Sequence, residues 1–256
     1  MSRTEKKVHT QMNAISEKML EALCCFLNDE KVKWEEGISP EEWSELFRLS
    51  MHHHILPMVF EAVCTCPAFA MCPPQLVQMM KSQVIRQVMM QGRKTAEFLE
   101  LYGKLLEVGV TPLVVKGIVC RSLYREPDYR CSGDEDVLIP REQFHTCVDI
   151  FEQNGMDMVE PEMNLNEEGE VPYHKADGML YIELHKELFP SERDVLGNLN
   201  SLFTEVFKRK IRTEVQGVPV YTMCHTDHLL YLILHAFKHF LHSGFGIRQV
   251  CDIVMY

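Results

Sequence analysis

Two aspartates one residue apart, Asp134 and Asp136, open an apolar run in the segment CSGDEDVLIP at 131–140. In an extended strand residues i and i+2 point the same way, so both carboxylates leave one face. Two carboxylates that close repel each other unless they share a proton or hold a cation. A divalent metal is the usual solution, and Mg²⁺ is commonly bound through one or two carboxylates together with phosphate oxygens. A third carboxylate on a neighbouring strand would complete such a site. Glu183 in YIELH suits that position, because Ile182 and Leu184 on either side of it would face a core. Tyr181, Glu183 and His185 share one face of this second strand. The residues therefore predict that Asp134, Asp136 and Glu183 converge on Mg²⁺ or Mn²⁺, the arrangement that clamps both ends of an in-line displacement. Without metal, Asp136→Asn is expected to be no less stable than wild type, since it removes one charge from a repelling pair.

An acid-x-acid pair is weak evidence in a chain with 37 acidic residues out of 256. Glu160/Glu162 and Glu168/Glu170 are two more such pairs, and both read as solvated loop charges. The context of Asp134 and Asp136 sets them apart. The apolar strand TPLVVKG ends in Lys116-Gly117, a helical segment IVCRSLY follows, and Gly133 then precedes the strand that carries the pair. Gly117 would let the backbone approach phosphate at a helix start, where amides and the helix dipole favour anions. Lys116 would add a positive charge to the same phosphates. The plainer readings are an exposed strand end for Lys116, a turn for Gly117, and a structural ion pair between Arg130 and Asp134 or Asp136.

The histidines are less decisive. His185 is either a ligand-facing group or a satisfied strand histidine. His235 and His239 stand at i and i+4 on one helix face, a zinc-compatible spacing, but no Glu follows His235 to make H-E-x-x-H. A structural or substrate-pocket role suits them better. His52-His53-His54 reads as a helix–helix junction. The ten cysteines contain no C-x-x-C pair, and Cys64, Cys66 and Cys72 read as free thiols in a reducing compartment.

Taken together, "LVVKGIVCRSLY", "RCSGDEDVLI", "YIELH" and "LLYLILHAFKH" resemble the nucleotidyltransferase fold of the DNA polymerase beta superfamily. They are most similar to the bacterial proteins called nucleotidyltransferase family proteins, over roughly residues 40 to 256. The resemblance implies transfer of a nucleotidyl group from an NTP to an acceptor hydroxyl, with Asp134, Asp136 and Glu183 as catalytic and metal-binding residues. It also implies a nucleotide site at Lys116, Gly117, Arg130, Ser132 and Gly133, and an acceptor pocket near His185, His235 and His239. The superfamily's usual Gly-Ser is replaced here by Gly117-Ile118. The alternative is a non-catalytic, antitoxin-like binding or regulatory protein of the same fold.

The elements that must position these residues follow from periodicity. Helices are predicted over 8–27, from an Ser39-Pro40-Glu42 capping box to about Met51, over 55–64, and from Gln75 to Val108, with a proline-punctuated loop at 66–75. Strands follow at 111–117, DEDVLI, MDMVE, EVPYHK and GMLYIELHKEL, with a helix over REQFHTCVDIFEQNG. A hairpin turns at Gln216-Gly217, and a helix with Thr226 as N-cap comes next. The fold class is thus α+β: a mixed, nucleotidyltransferase-type sheet with flanking helices. It comprises a helical N-terminal region (1–108), an α+β core (109–222) and C-terminal helices (223–256). Ile247, Val250, Ile253 and Val254 still follow helical spacing, so the pattern is expected to continue past 256 and to leave part of that face uncovered.

The net charge of −11 argues against broad, non-specific nucleic-acid binding, which needs clustered Lys and Arg, while leaving room for a local basic pocket. No signal peptide or membrane span is read, which predicts a cytoplasmic protein whose partners are an NTP and an unidentified acceptor.

Overall fold

The computed structural model describes residues 3–35, 37–190, 197–242, 244 and 246–256. The chain forms two compact units. One comprises Met1–Met89, Asp128–Cys131 and Gly244–Met255, and the other Met90–Pro127, Ser132–Ser243 and Tyr256.

The first unit is helical. It contains α1 (Arg3–Leu27), α2 (Pro40–His52), α3 (Leu56–Val63), the first half of α4 (Pro74–Glu107) and the last helix of the chain. The predicted capping box starts α2: Ser39 Oγ accepts the Glu42 N–H, and Glu42 Oε2 accepts the Ser39 N–H at 2.8 Å. Both orphan donors are satisfied, which fixes where the helix begins. Trp43, Leu46 and Phe47 then point inward with Met58, Val59 and Ala62 of α3, all at most 1% exposed. The segment expected as a loop at 66–75 contains a 3-10 turn, Pro67–Met71.

The second unit carries a five-stranded mixed sheet: β1 (Leu113–Val114), β2 (Glu135–Leu138), β3 (Met156–Met158), β4 (Glu170–Lys175) and β5 (Tyr181–His185). Their spatial order is β1-β2-β5-β4-β3, and the β2–β5 pair alone is parallel. The strand expected over 111–117 is much shorter. Its ladder continues only through Val115, whose N–H donates to the Asp136 carbonyl at 2.9 Å. A one-turn helix α5 (Ile118–Arg121) follows, and α6 (Phe144–Gln153) ends at Asn154 with Gly155 at positive φ. The predicted hairpin joins β6 (Ile211–Val215) to β7 (Val218–Thr222) through Gln216 and Gly217, both at positive φ as a type I′ turn requires. Phe98, Tyr102, Val137, Phe151, Tyr173, Ile182 and Leu184 fill the core against the sheet.

The helix α7 (His225–His242) also belongs to this unit. It starts one residue before the expected N-cap: the Cys224 carbonyl accepts the His228 N–H, so Thr226 lies inside the first turn. The last helix, α8 (Ile247–Met255), buries Cys251 and Asp252 and leaves Val254 65% exposed. Among the described residues no helix is long and apolar enough to cross a membrane.

Candidate active site

The parallel pairing of β2 with β5 brings the candidate residues together. Its register sets Asp136 beside Glu183 and Leu138 beside His185. Antiparallel pairing of β4 with β5 sets Glu170 opposite His185. Asp136, Glu183 and His185 each offer one ligand atom, and the three atoms lie within 4.8 Å of one another. Asp136 Oδ1 stands 3.4 Å from His185 Nε2, which is 3.8 Å from Glu183 Oε2. On the other side of the ring, His185 Nδ1 is 3.6 Å from Glu170 Oε2. Asp134 stands just ahead of β2 and is half-buried. It is outside that trio, although its charge reaches Lys116 and Glu183.

Lys116, at the end of the β1 ladder, places Nζ 2.9 Å from Asp136 Oδ2. The distance is that of a strong pair, yet among the described residues neither Asp136 oxygen is met in full hydrogen-bonding geometry, and neither is either nitrogen of His185. We read this as a close electrostatic contact with lone pairs left over. Burial by itself would raise the Asp136 carboxyl, but Lys116 and then His185 outweigh it and hold the group well below the usual carboxylate range. The structure therefore reverses the expectation for Asp136→Asn. The ionised carboxylate is compensated by a cation already present, and its loss leaves Lys116 facing Asp134 and Glu183 alone.

Burial, followed by the charges of Asp136, Glu170 and Asp134, pushes Glu183 up to about 7. On Lys116 burial works to lower the ammonium's pKa, but Asp136, Asp134 and Glu183 carry it above the ordinary value. For His185 too, burial is outweighed by Asp136, and the imidazole pKa is raised. Buried polar atoms without partners are costly unless something completes them. Two carboxylates and an imidazole converging at this spacing form a donor set that fits a divalent cation, and Glu170 stands behind His185 in the outer position that orients a ligating ring.

The other expected residues divide between several roles. His235 and His239 lie on α7, meeting edge to face with ring centroids 4.5 Å apart, and His235 also packs on Tyr231. Burial and then the Lys116 charge lower both, His235 to about 2, so His235 is a neutral imidazole at physiological pH. Ser132 is buried and engaged internally: its N–H donates to Gln91 Oε1 at 2.8 Å, and its hydroxyl accepts from Arg121. Gly133 is exposed, and its carbonyl accepts from Lys94 Nζ at 3.1 Å. Arg130 belongs to the helical unit, where its guanidinium forks onto Asp252, with Nε 3.0 Å from Oδ1. Asp252 is thus a structural ion-pair partner of Arg130.

Two features escaped the sequence reading. Glu170, read as a solvated loop charge, begins β4 and reaches His185; antiparallel pairing across β5 was the missing information. The second is Glu135, the middle residue of the D-E-D run. Strand alternation sends it to the opposite face from Asp136, and that alternation was a usable signal that it needed a partner of its own. Its carboxylate accepts from Arg121 Nη1 at 2.6 Å and from the Ile118 N–H at 2.6 Å. Gly117 has φ 65°, and a Cβ there would stand 2.0 Å from Glu135 Oε2. The glycine is therefore needed for the close approach of the protein's own carboxylate to the start of α5, where phosphate was expected.

No curated protein and no solved structure matches the chain. A family described as uncharacterised nucleotidyltransferase matches residues 39–256, a span that holds every strand described above. With its carboxylates gathered on a mixed sheet inside that span, this chain belongs to that nucleotidyltransferase family.

Proposed function

We propose that the chain transfers a nucleotidyl group from an NTP to the hydroxyl of an acceptor, with Asp136 holding a divalent cation, Glu183 either joining it there or accepting the acceptor's proton, His185 beside them and Asp134 next to the pair. The observation that carries this reading is the convergence of Asp136, Glu183 and His185 within 4.8 Å, with buried Asp136 and His185 polar atoms that, among the described residues, no group meets in hydrogen-bonding geometry. When bound, the cation would neutralise phosphate charge and polarise the oxygens of the reacting phosphate.

The chain's own residues account for the rest. The acceptor oxygen forms a bond to the α-phosphorus, the bond from that phosphorus to the bridging oxygen breaks, and pyrophosphate leaves. The acceptor proton needs a base matched to neutral pH. Glu183, pushed up to about 7, suits that task when it is not a metal ligand. Lys116 supplies a fixed positive charge to the polyphosphate. The neutral face of Tyr231, His235 and His239 suits the acceptor. Holding the reactants in line and stabilising their charge is most of what such a transfer requires.

One observation favours the non-catalytic alternative. The Glu135 carboxylate already occupies the Ile118 amide at the helix start, and that amide is unavailable to phosphate unless Glu135 moves. Thermal melts with each of the four NTPs, with Mg²⁺ or Mn²⁺, separate the two readings. The transferase reading expects a metal-dependent rise in Tm with at least one NTP. No shift with any of them sinks it and leaves the binding-partner reading.

A further inference from the structure

Lys116 sits where an incoming cation must compete with it. Its Nζ lies 2.9 Å from Asp136 Oδ2, in a setting where the two side chains are only 13% and 1% exposed. The same Asp136 carboxylate contributes to the trio of donor atoms within 4.8 Å. A dication bound to a carboxylate oxygen stands about 2.0–2.6 Å from it. An ammonium and a dication would then share one buried carboxylate, where like charges are poorly screened.

Lysine carries its charge on a flexible four-carbon stem, so Lys116 can swing away. Doing so costs it the Asp136 contact, and of the other anions whose charge reaches it, Asp134 and Glu183, the latter is one of the cation's own donors. An arriving polyphosphate removes the conflict, because it brings the dication for Asp136 and a new anion for Lys116 in one step.

We propose that Lys116 is the resident counter-ion of Asp136 and makes the site selective for a metal–polyphosphate complex over free metal or free polyphosphate. This rests on the metal and nucleotide reading of the same cluster. Coupling of this kind is reciprocal: polyphosphate tightens metal binding by the factor by which metal tightens polyphosphate binding. Removing the lysine charge must therefore act in opposite directions on two ligands. Free metal binds better, and the complex binds worse.

The test is calorimetric titration of the full chain with Mn²⁺ alone, inorganic tripolyphosphate in chelator, and the preformed Mn²⁺–tripolyphosphate complex. Tripolyphosphate supplies the anion without a choice of base. Wild type should bind the complex at least tenfold more tightly than either component. Lys116→Met should bind Mn²⁺ alone at least tenfold more tightly than wild type and bind the complex more weakly. Lys116→Arg, which keeps the charge, should show wild-type weakness towards free Mn²⁺.

Mn²⁺ binding that Lys116→Met leaves unchanged or weakens overturns the inference while sparing the metal site. Binding of neither Mn²⁺ nor the complex by wild type overturns the site reading together with it. If Lys116→Met fails to fold, two results carry the decision: the wild-type preference for the complex, and the free-Mn²⁺ affinity of Lys116→Arg. A wild type that binds Mn²⁺ alone as tightly as the complex, or an arginine variant that binds free Mn²⁺ tenfold more tightly than wild type, defeats the proposal.

Discussion

The two faces of β2 carry neighbouring buried carboxylates with opposite fates. Glu135 is closed off: Arg121 and the Ile118 amide both donate to it, and Arg121 itself also reaches Ser132 and Thr95. Asp136, one residue on, faces Lys116 at 2.9 Å and His185 at 3.4 Å, yet among the described residues neither of its oxygens is met in full hydrogen-bonding geometry. A guanidinium anchored on Glu135, Ser132 and Thr95 at once fixes geometry and is hard to displace, whereas an ammonium on a flexible stem moves readily. On the function proposed above, one face of the strand holds the fold and the other receives a ligand. The open lone pairs mark which is which more clearly than the acidity of either residue.

Breaking the closed face should have the largest effect. Arg121→Met leaves Glu135 buried without its charge partner, a loss expected to cost about 3–5 kcal/mol, read from urea denaturation. A loss below 1 kcal/mol would erase the distinction between the faces. Gly117→Ala attacks the same face through backbone and contact together, given φ 65° and a 2.0 Å approach to Glu135. It should destabilise by more than about 1 kcal/mol, and pairing it with Glu135→Ala should recover the contact part but not the φ part.

Asp136→Asn probes the open face. Without metal it should lose about 1–3 kcal/mol, because Lys116 forfeits its partner. This is less than for Arg121→Met, since Lys116 is 13% exposed and can reach water. With Mn²⁺ the gap to wild type should widen, because only wild type gains binding energy. A mutant that melts above wild type in chelator would restore the picture of a simple repelling pair.

Acidity sharpens the comparison further. Glu183 has a folded-state value raised to about 7 from an ordinary 4.5. The folded chain thus holds a proton that the unfolded chain has lost, and metal-free stability should fall as pH rises between about 4.5 and 7. His185, also raised, acts in the same direction as pH climbs past its ordinary 6.5. His235 has the opposite sign: held neutral by burial down to about 2, it contributes stability above pH 6.5 that is lost as pH falls. Glu183→Gln should flatten the decline towards neutrality, and His235→Phe should soften the acid-side loss. Denaturation curves at pH 5, 6, 7 and 8 check both. The smallest effect is expected from His239→Ala. With its half-buried side chain on α7, it should change stability by less than about 1 kcal/mol and keep metal binding.

Much of the fold was legible because local physics dictates it. The Ser39-Glu42 capping box and the Gln216-Gly217 turn each depend on a few adjacent residues, and each appears where its signal stands. Short strands were harder. β1 was overestimated because an apolar β-branched run says where a strand can form, but pairing partners decide how far the ladder extends. The start of α7 was misplaced by one residue because Thr226 is a good cap wherever it occurs, and the Cys224 carbonyl took the first helical bond instead.

The sequence by itself determined that Glu135 and Asp136 leave opposite sides of a strand and that Glu183 and His185 share a face. Those are consequences of a two-residue period and hold for any partner arrangement. Only the tertiary structure decided that β2 and β5 run parallel with Asp136 beside Glu183, that β4 delivers Glu170 to His185, and that Lys116 rather than a proton or a second carboxylate faces Asp136. Strand order and register are set by how distant segments bury their apolar faces together. The compensation of a buried charge therefore depends on neighbours that lie far away along the chain.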